Sequence, residues 1–343
     1  MKKRITSALA LVIFSFALVA ATFISTNTTD NTSGNLKTGL AISTSIKDST
    51  EATEETDGVN STTVTVAAVT VDENGKIVAC KIDVLAATVK FNTSGIITSD
   101  LTTDCLTKKE IKDNYGMKQY SSIQKEWYEQ VEAFENYCIG KTADEIKGIT
   151  VNSETGLADD TTLAAGCTMH PAQFQYIIAE ACENATVNGA NPKDKLGIAI
   201  STKLTESKDA SAEADGRAEV SATVAVTTAN ADGKVTSAII DAVQASVKFD
   251  TTGKITTDLT AEILTKNEQK ENYGMKQYSS IQKEWYEQAA AFANYCVGKT
   301  AEEINSIAIN DETGFVDGLA ASCTLHPAQF QYVIAEAINN TKQ

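Results

Sequence analysis

Residues 114–130 read NYGMKQYSSIQKEWYEQ, and residues 272–288 repeat the same 17 letters. The offset between the two stretches is 158 (272 minus 114). It falls to 156 near the end of the chain, where Cys167-Thr168 corresponds to Cys323-Thr324. A period this long is typical of a duplicated domain rather than of a solenoid built from short repeats.

The duplication predicts the domain organisation. Copy one is expected at 35–187 and copy two at 197–343, with 188–196 between them as a polar linker that contains Gly and Pro. Residues 1–30 precede both copies.

The first half of each copy has the pattern of β-strands. Thr62–Val71 alternates and is rich in β-branched residues, and the turn that follows contains Gly75. Lys76–Val84 then predicts a returning strand, and Thr88–Phe91 continues the sheet.

The second half of each copy has the pattern of helices. From Ser122 onward, apolar residues recur at helical spacing as far as Cys138. Thr142–Glu145 resembles a capping box, and Thr300–Glu303 repeats it in copy two. Pro171 is suited to the first position of a final helix, and the apolar stripe expected to be buried there is Phe174, Ile177, Ile178 and Ala181. Strands followed by helices predict an α+β fold: two tandem copies of an antiparallel sheet packed by helices.

Charge excludes some partners. The chain has 29 Lys and Arg against 45 Asp and Glu, a net charge of −16, and two histidines. Such a surface repels nucleic acid and gives no polybasic grip on anionic lipid. Two histidines also exclude a His-rich metal centre.

The N-terminus resembles an export signal. Residues 1–4 are basic, residues 8–24 are apolar, and Ala21 ends a small-residue stretch suited to cleavage. We expect residues 1–30 to be a signal peptide or, uncleaved, a membrane anchor through residues 5–25. Either outcome predicts an extracytoplasmic protein, secreted or attached to the cell membrane.

Seven cysteines are unevenly distributed. Cys138 with Cys167, and Cys296 with Cys323, are candidate disulfide pairs that would close similar loops in an oxidising compartment. The alternative is that they are buried free thiols acting as small apolar residues. The odd total leaves at least one thiol without an intramolecular partner.

The segment before the last helix is the main candidate site. It ends Gly166-Cys167-Thr168 in copy one and Ser322-Cys323-Thr324 in copy two, each just before a Pro-started helix. Backbone N–H groups at such a helix start can bind a phosphate. The alternative is an ordinary N-cap made by threonine or histidine.

This segment resembles the flavin-attachment motif of the extracytoplasmic FMN-binding domain family, whose order of elements is also similar over most of each copy. The family motif is Ser-Gly-Ala-Thr, and Ala165-Gly166-Cys167-Thr168 occupies these positions in copy one. Copy two has Ala321-Ser322-Cys323-Thr324 there. The resemblance implies FMN as cofactor, bound covalently or non-covalently at Thr168 and Thr324, and a flavin transferase and a membrane electron donor as partners.

The leading prediction is therefore an extracytoplasmic FMN-binding electron-transfer protein, a redox carrier rather than a stand-alone catalyst. The rival is a cofactor-free surface or scaffold protein that retains the fold. A thiol redox protein using Cys138 and Cys167, and a metal half-site at Cys167 and His170, are weaker alternatives because neither has its usual paired motif.

The 17-residue stretch that the two copies share, residues 114–130 and 272–288, is called the identical block and has two interpretations. Tyr115, Tyr120, Trp127 and Tyr128 either stack on a ring such as a flavin or sugar, or fill a core. Its glutamates, such as Glu126, are expected to be solvated charges on an exposed helix.

Overall fold

Copy one forms a four-stranded antiparallel sheet in the computed structural model, which describes residues 36–342. The strands are β1 (Lys37–Ser45), β2 (Gly58–Val71), β3 (Ile77–Phe91) and the short β4 (Thr186–Val187). Their order in the sheet is β3-β2-β1-β4. The predicted strand pair is confirmed and is longer than expected, because β2 begins at Gly58 and β3 continues unbroken to Phe91.

Copy two repeats this arrangement with three strands. They are β5 (Lys195–Lys203), β6 (Gly216–Ala229) and β7 (Val235–Phe249), in the order β5-β6-β7. Every strand pair in both sheets is antiparallel, so the predicted α+β class is confirmed.

Helices follow the strands in each copy. Copy one has α1 (Lys108–Ile111), α2 (Trp127–Cys138), α3 (Ala143–Lys147), α4 (Thr161–Gly166) and α5 (Gln175–Glu183). Copy two has α6 (Lys266–Gln269), α7 (Trp285–Cys296), α8 (Ala301–Asn305) and α9 (Ala328–Asn340).

The long helix of copy one begins later than predicted. α2 begins at Trp127 rather than near Ser122, because Glu126 is its N-cap and forms a capping box with Glu129. Glu126 also accepts a hydrogen bond from the N–H of Met117 at 2.8 Å and is buried. The expectation of a solvated charge at Glu126 is therefore wrong, since this carboxylate satisfies the backbone of a loop and a helix start.

The remaining helix signals are largely confirmed. Thr142 and Thr300 form the predicted capping boxes of α3 and α8. Pro171 begins a single 3-10 turn, Pro171–Gln173, before α5 starts at Gln175. The predicted apolar stripe of this region is buried.

The two sheets pack face to face and share one core. Their inward faces supply the apolar side chains of this core from both copies. β3 lies against β5, β2 against β6 and β1 against β7, which gives the pair approximate two-fold symmetry. At the centre the rings of Phe91 and Phe249 stack with centroids 4.0 Å apart.

The outward face of each sheet is covered by helices. α2 and α5 cover the copy-one sheet, and α7 and α9 cover the other. Gly39 permits this approach in copy one, since a Cβ there would lie 1.9 Å from the carbonyl oxygen of Ala181. The result is four layers, helix, sheet, sheet and helix.

The described residues belong to one compact unit. Among them, no helix is both long and apolar enough to cross a membrane. The predicted signal peptide or anchor, residues 1–30 with the apolar stretch 5–25, lies outside the described residues.

Candidate functional site

The candidate motif lies at the end of α4, against the long helix α2. Asp160 begins α4 by accepting hydrogen bonds from the N–H groups of Thr162 and Leu163. Gly166 ends it, and a Cβ there would lie 2.8 Å from the Cβ of Ala133. The glycine is therefore explained by close packing on α2. In copy two the matching residues, Leu319 to Ser322, form turns.

Thr168 is held by a side chain from the identical block. Its N–H and its hydroxyl both donate to Oε1 of Gln130, at 2.9 and 3.0 Å. In copy two, Thr324 makes the same pair of bonds to Gln288, at 2.8 and 3.1 Å. The Thr168 N–H is therefore not free to bind a phosphate, because Gln130 already accepts from it.

Gln130 is itself completely bonded. It is buried, and its Nε2 donates to the hydroxyl of Ser121 at 3.0 Å and to the carbonyl of Lys125 at 3.1 Å. The amide thus joins Thr168 to the loop that precedes α2. A buried amide with both ends bonded fixes the positions of its partners.

A groove of about 360 Å³ opens beside Thr168. Six of the side chains that line it are Lys108, Tyr115, Tyr120, Trp127, Gln130 and Thr168. Four of them belong to the identical block. The structure therefore brings the aromatic block and the candidate threonine into one site, although about 40 residues separate Trp127 from Thr168 in the chain (168 minus 127 is 41).

The aromatic residues of the groove have different exposures. Trp127 is only 2% exposed and belongs to the core, as its helical spacing predicted, so it offers almost no surface to a ligand. Tyr120 is 85% exposed and projects from the loop. Tyr128 instead donates its hydroxyl to Asp113 at 3.2 Å and is not part of the groove lining.

A lysine supplies positive charge at the groove. Nζ of Lys108 lies 4.9 Å from the ring centroid of Tyr115 and 5.4 Å from that of Trp127. In copy two, Lys266 lies at 4.7 and 5.1 Å from Tyr273 and Trp285. Lys108 was not predicted as a site residue, because it lies before the identical block. Its repetition as Lys266 at the matching position of copy two was the signal that could have identified it.

The loop beside the groove has a strained backbone in both copies. Gln124 has φ of 54° and Gln282 has φ of 52°, a conformation that is uncommon for residues other than glycine. Such a conformation costs about 1–3 kcal/mol and persists only where the surrounding structure fixes it, and such residues are concentrated at functional sites. Gln124 lies within the identical block, four residues after the exposed Tyr120.

The candidate cysteines face the core rather than the groove. Cys167 and Cys323 are buried, and burial raises the pKa of Cys167 to about 11. All seven cysteines are free thiols in the structure, so neither Cys138 with Cys167 nor Cys296 with Cys323 is joined. Cys167 is therefore not placed to lie under a ring in the groove.

His170 acts as an N-cap, which was the alternative to a phosphate-binding site. Its Nδ1 accepts from the N–H of Ala172 at 3.4 Å. His326 differs, since α9 has Pro327 as its N-cap and no side-chain cap bond. Over residues 36–342, no group of three or more metal-ligating side chains is arranged to hold a metal ion.

Comparison of the chain with protein-family models, with curated proteins and with solved structures finds no match. The function is therefore argued from the groove itself.

Proposed function

We propose that the groove beside Thr168 and the matching residues around Thr324 bind FMN, and that the protein is an extracytoplasmic electron-transfer protein. One observation carries the proposal. A threonine hydroxyl, three aromatic side chains and a lysine line one groove, and copy two repeats all five residue types at matching positions. Duplicated binding residues are expected if each copy binds its own ligand.

The groove residues have chemistry suited to a phosphorylated flavin. Tyr115 and Tyr120 offer ring faces for a planar heterocycle. Lys108 offers positive charge to a phosphate. It would take the place of the Thr168 N–H, which already donates to Gln130. Thr168 is partly exposed, and its hydroxyl oxygen keeps lone pairs while donating its proton, so it remains the proposed attachment point.

A bound flavin would supply one- and two-electron transfer, and the protein would hold it and limit its contact with water. The partners under this proposal are a flavin transferase and a membrane electron donor, as the resemblance to the extracytoplasmic FMN-binding domain family implies. The export signal expected in residues 1–30 would place the protein outside the cytoplasm.

A cofactor-free surface or scaffold protein is the second candidate, and one observation favours it. Both hydrogen-bond donors of Thr168 and of Thr324 are already used within the protein. A site that evolved to bind phosphate usually leaves donors directed at the ligand.

Co-expression of the whole chain with a flavin transferase separates the two candidates. We expect a yellow product with visible flavin absorbance and a mass increase of one or two FMN units. The variant T168V/T324V removes both hydroxyls while keeping the shape of the side chains, and it should lose the added mass. T162A, at an exposed threonine of α4, is the matched control and should keep it.

Free FMN tests non-covalent binding by the purified chain. We expect the flavin fluorescence to be quenched on binding, and the variant Y120A/Y278A to weaken binding at least tenfold because it removes the exposed ring of each groove. A colourless, unmodified product that also fails to bind free FMN would contradict the proposal and favour the scaffold.

A further inference from the structure

Copy one has a cluster of three cysteines that copy two lacks. Cys80 lies on β3, Cys138 at the end of α2 and Cys182 near the end of α5. All three lie in or against the apolar core between the copy-one sheet and its helices, which we call the outer core of copy one. In copy two, Cys296 matches Cys138, but Ala238 stands where Cys80 would be. The duplication therefore provides a natural control for the pair Cys80 and Cys138, which we name the thiol pair.

Backbone contacts on both sides hold the thiol pair together. Before Cys80, the carbonyl of Ile77 accepts from the N–H of Gly140 at 2.7 Å. After it, the N–H of Ile82 donates to Oε1 of Glu135 at 2.7 Å. These bonds join β3 to the end of α2 immediately before and after the thiol pair. Since Cys80 points to the same face as Ile82, its side chain is directed at the helix.

Cys138 affects the pKa of Cys80 more than any other group does. Its side chain, together with burial, raises the pKa of Cys80 well above the usual value. Burial is the main cause that raises the pKa of Cys182 to about 12, and Cys138 adds to this shift.

A cleft gives small molecules a route to Cys80. It has a volume of about 570 Å³ and contains residues of α2 on one side and of the chain before β5 on the other. Its lining includes Cys80, Glu132, Glu135, Asn136, Lys193 and Lys195. Cys80 thus lies at the wall of an open cleft, with 4% of its surface exposed, and Cys138 is buried behind it.

We propose that Cys80 and Cys138 form an oxidisable dithiol site, which closes to a disulfide between β3 and α2. The oxidant is a small-molecule disulfide. In two exchange steps the thiol pair loses two protons and two electrons, one S–S bond forms in the protein, and the reagent is reduced to two thiols. This pairing differs from the candidate pair of Cys138 with Cys167.

The disulfide would act on the proposed ligand groove. α2 carries Trp127 and Gln130, and the new bond would tie its far end to the sheet. A cross-link here closes the segment between Cys80 and Cys138, which includes α1 and the loop that carries Tyr120.

The purified whole chain should be treated with oxidised glutathione, denatured at low pH and alkylated. We expect five of the seven thiols to remain alkylatable, and peptide mapping to find Cys80 joined to Cys138. The reaction should accelerate as the pH rises, because the raised pKa of Cys80 limits the thiolate that attacks the reagent. C182A should leave the outcome unchanged apart from the lost thiol.

Three variants make the test decisive. C80A should retain all six of its thiols in alkylatable form. A238C places a cysteine opposite Cys296 in copy two and should cause two further thiols to be lost on oxidation, whereas A242C on the same strand should not. A map that joins Cys138 to Cys167 or to Cys182, or seven alkylatable thiols after oxidation, would overturn the proposal.

Discussion

At the scale of single residues, the candidate site depends on Gln130 and its counterpart Gln288. Each accepts two hydrogen bonds from a threonine in a separate segment and donates to the loop that precedes its helix. The sequence did not identify either residue as part of the site, because a glutamine in an amphipathic helix has no recognisable pattern. Both lie inside the identical block, which was the only signal available.

Replacing Gln130 with alanine should destabilise the protein and loosen the groove. The change leaves the half-buried N–H of Thr168 and the buried hydroxyl of Ser121 without their partner, which costs about 1–3 kcal/mol. Urea unfolding of Q130A should show a lower midpoint than wild type. Q119A is the matched control from the same loop, where the side chain is exposed and bonds only to Gly116, and its midpoint should stay within error. Equal loss in both variants would contradict this prediction.

Two buried aspartates make stability depend on pH. Burial raises the pKa of Asp83 from its usual 3.8 to about 6, and it does the same for Asp241 at the matching position of β7. Between about pH 4 and 6 the folded protein holds protons that the unfolded chain has released. These two groups therefore favour folding at the lower end of this range and lose that contribution as the pH rises through 6.

The variant D83N should gain stability relative to wild type as the pH rises from 4 to 7. The raised pKa of Asp83 corresponds to a change of at most about 3 kcal/mol in the free energy of unfolding, since each pKa unit is worth about 1.4 kcal/mol. Denaturant unfolding at several pH values measures it. D100N is the control, because the pKa of the exposed Asp100 is lowered by Thr102, and its stability difference should be flat above pH 4. A flat profile for D83N as well would show that burial does not govern Asp83.

At the scale of elements, the two copies attach the long helix to the sheet differently. In copy one the buried Glu135 of α2 accepts from the N–H of Ile82 and pairs with Lys109 and, at 3.9 Å, with Lys81. Copy two replaces the three charged residues with Ala293, Asn267 and Ile239. A buried charge network and an uncharged set therefore support the same helix–sheet packing.

Replacing the three charged residues of copy one by their copy-two counterparts should destabilise the protein less than removing the Glu135 carboxylate alone. E135A leaves a buried N–H without its acceptor and two lysines without their partner, and we expect a loss of about 1–3 kcal/mol. The triple variant K81I/K109N/E135A supplies the residues that copy two uses, so it should be at least as stable as E135A by chemical denaturation. A triple variant less stable than E135A would show that the three positions act independently.

At the scale of the whole molecule, the two copies are joined through their sheets. The inward faces form one core, and Phe91 stacks on Phe249 at its centre. Reciprocal backbone bonds support this, since Ala52 donates to Gly253 and Ala210 donates to Gly95. A core shared in this way couples the stability of the copies, so we expect the described residues to unfold as one unit.

The variants F91A and F249A should each lower the midpoint temperature of one common unfolding transition. Truncating a buried phenylalanine costs about 3–5 kcal/mol. The double variant should lose less than the sum, because the two rings contact each other. F134A, in the outer core of copy one, is the control for independence, and calorimetry should show a single transition for it too. Two separated transitions in F134A would mean that the copies unfold separately.

The elements and fold class were predictable because they depend on local periodicity. Alternation in Thr62–Val71 marked β2, and the capping residues at Thr142 and Thr300 marked α3 and α8. The start of α2 was missed because Glu126 caps it through contacts with Met117 and Glu129 that spacing does not reveal. The groove was only half predicted, since its threonine and its aromatic residues were found as separate signals.

By itself the sequence determined the duplication, the order of strands and helices in each copy and the acidic charge, because all of these are properties of residues close together along the chain. Only the tertiary structure decided which face of each sheet was covered by helices and which by the other copy. It alone also brought Thr168 to Gln130, and Cys80 to Cys138. Alternating apolar residues show that a face is buried, but they do not specify its partner, which long-range packing selects.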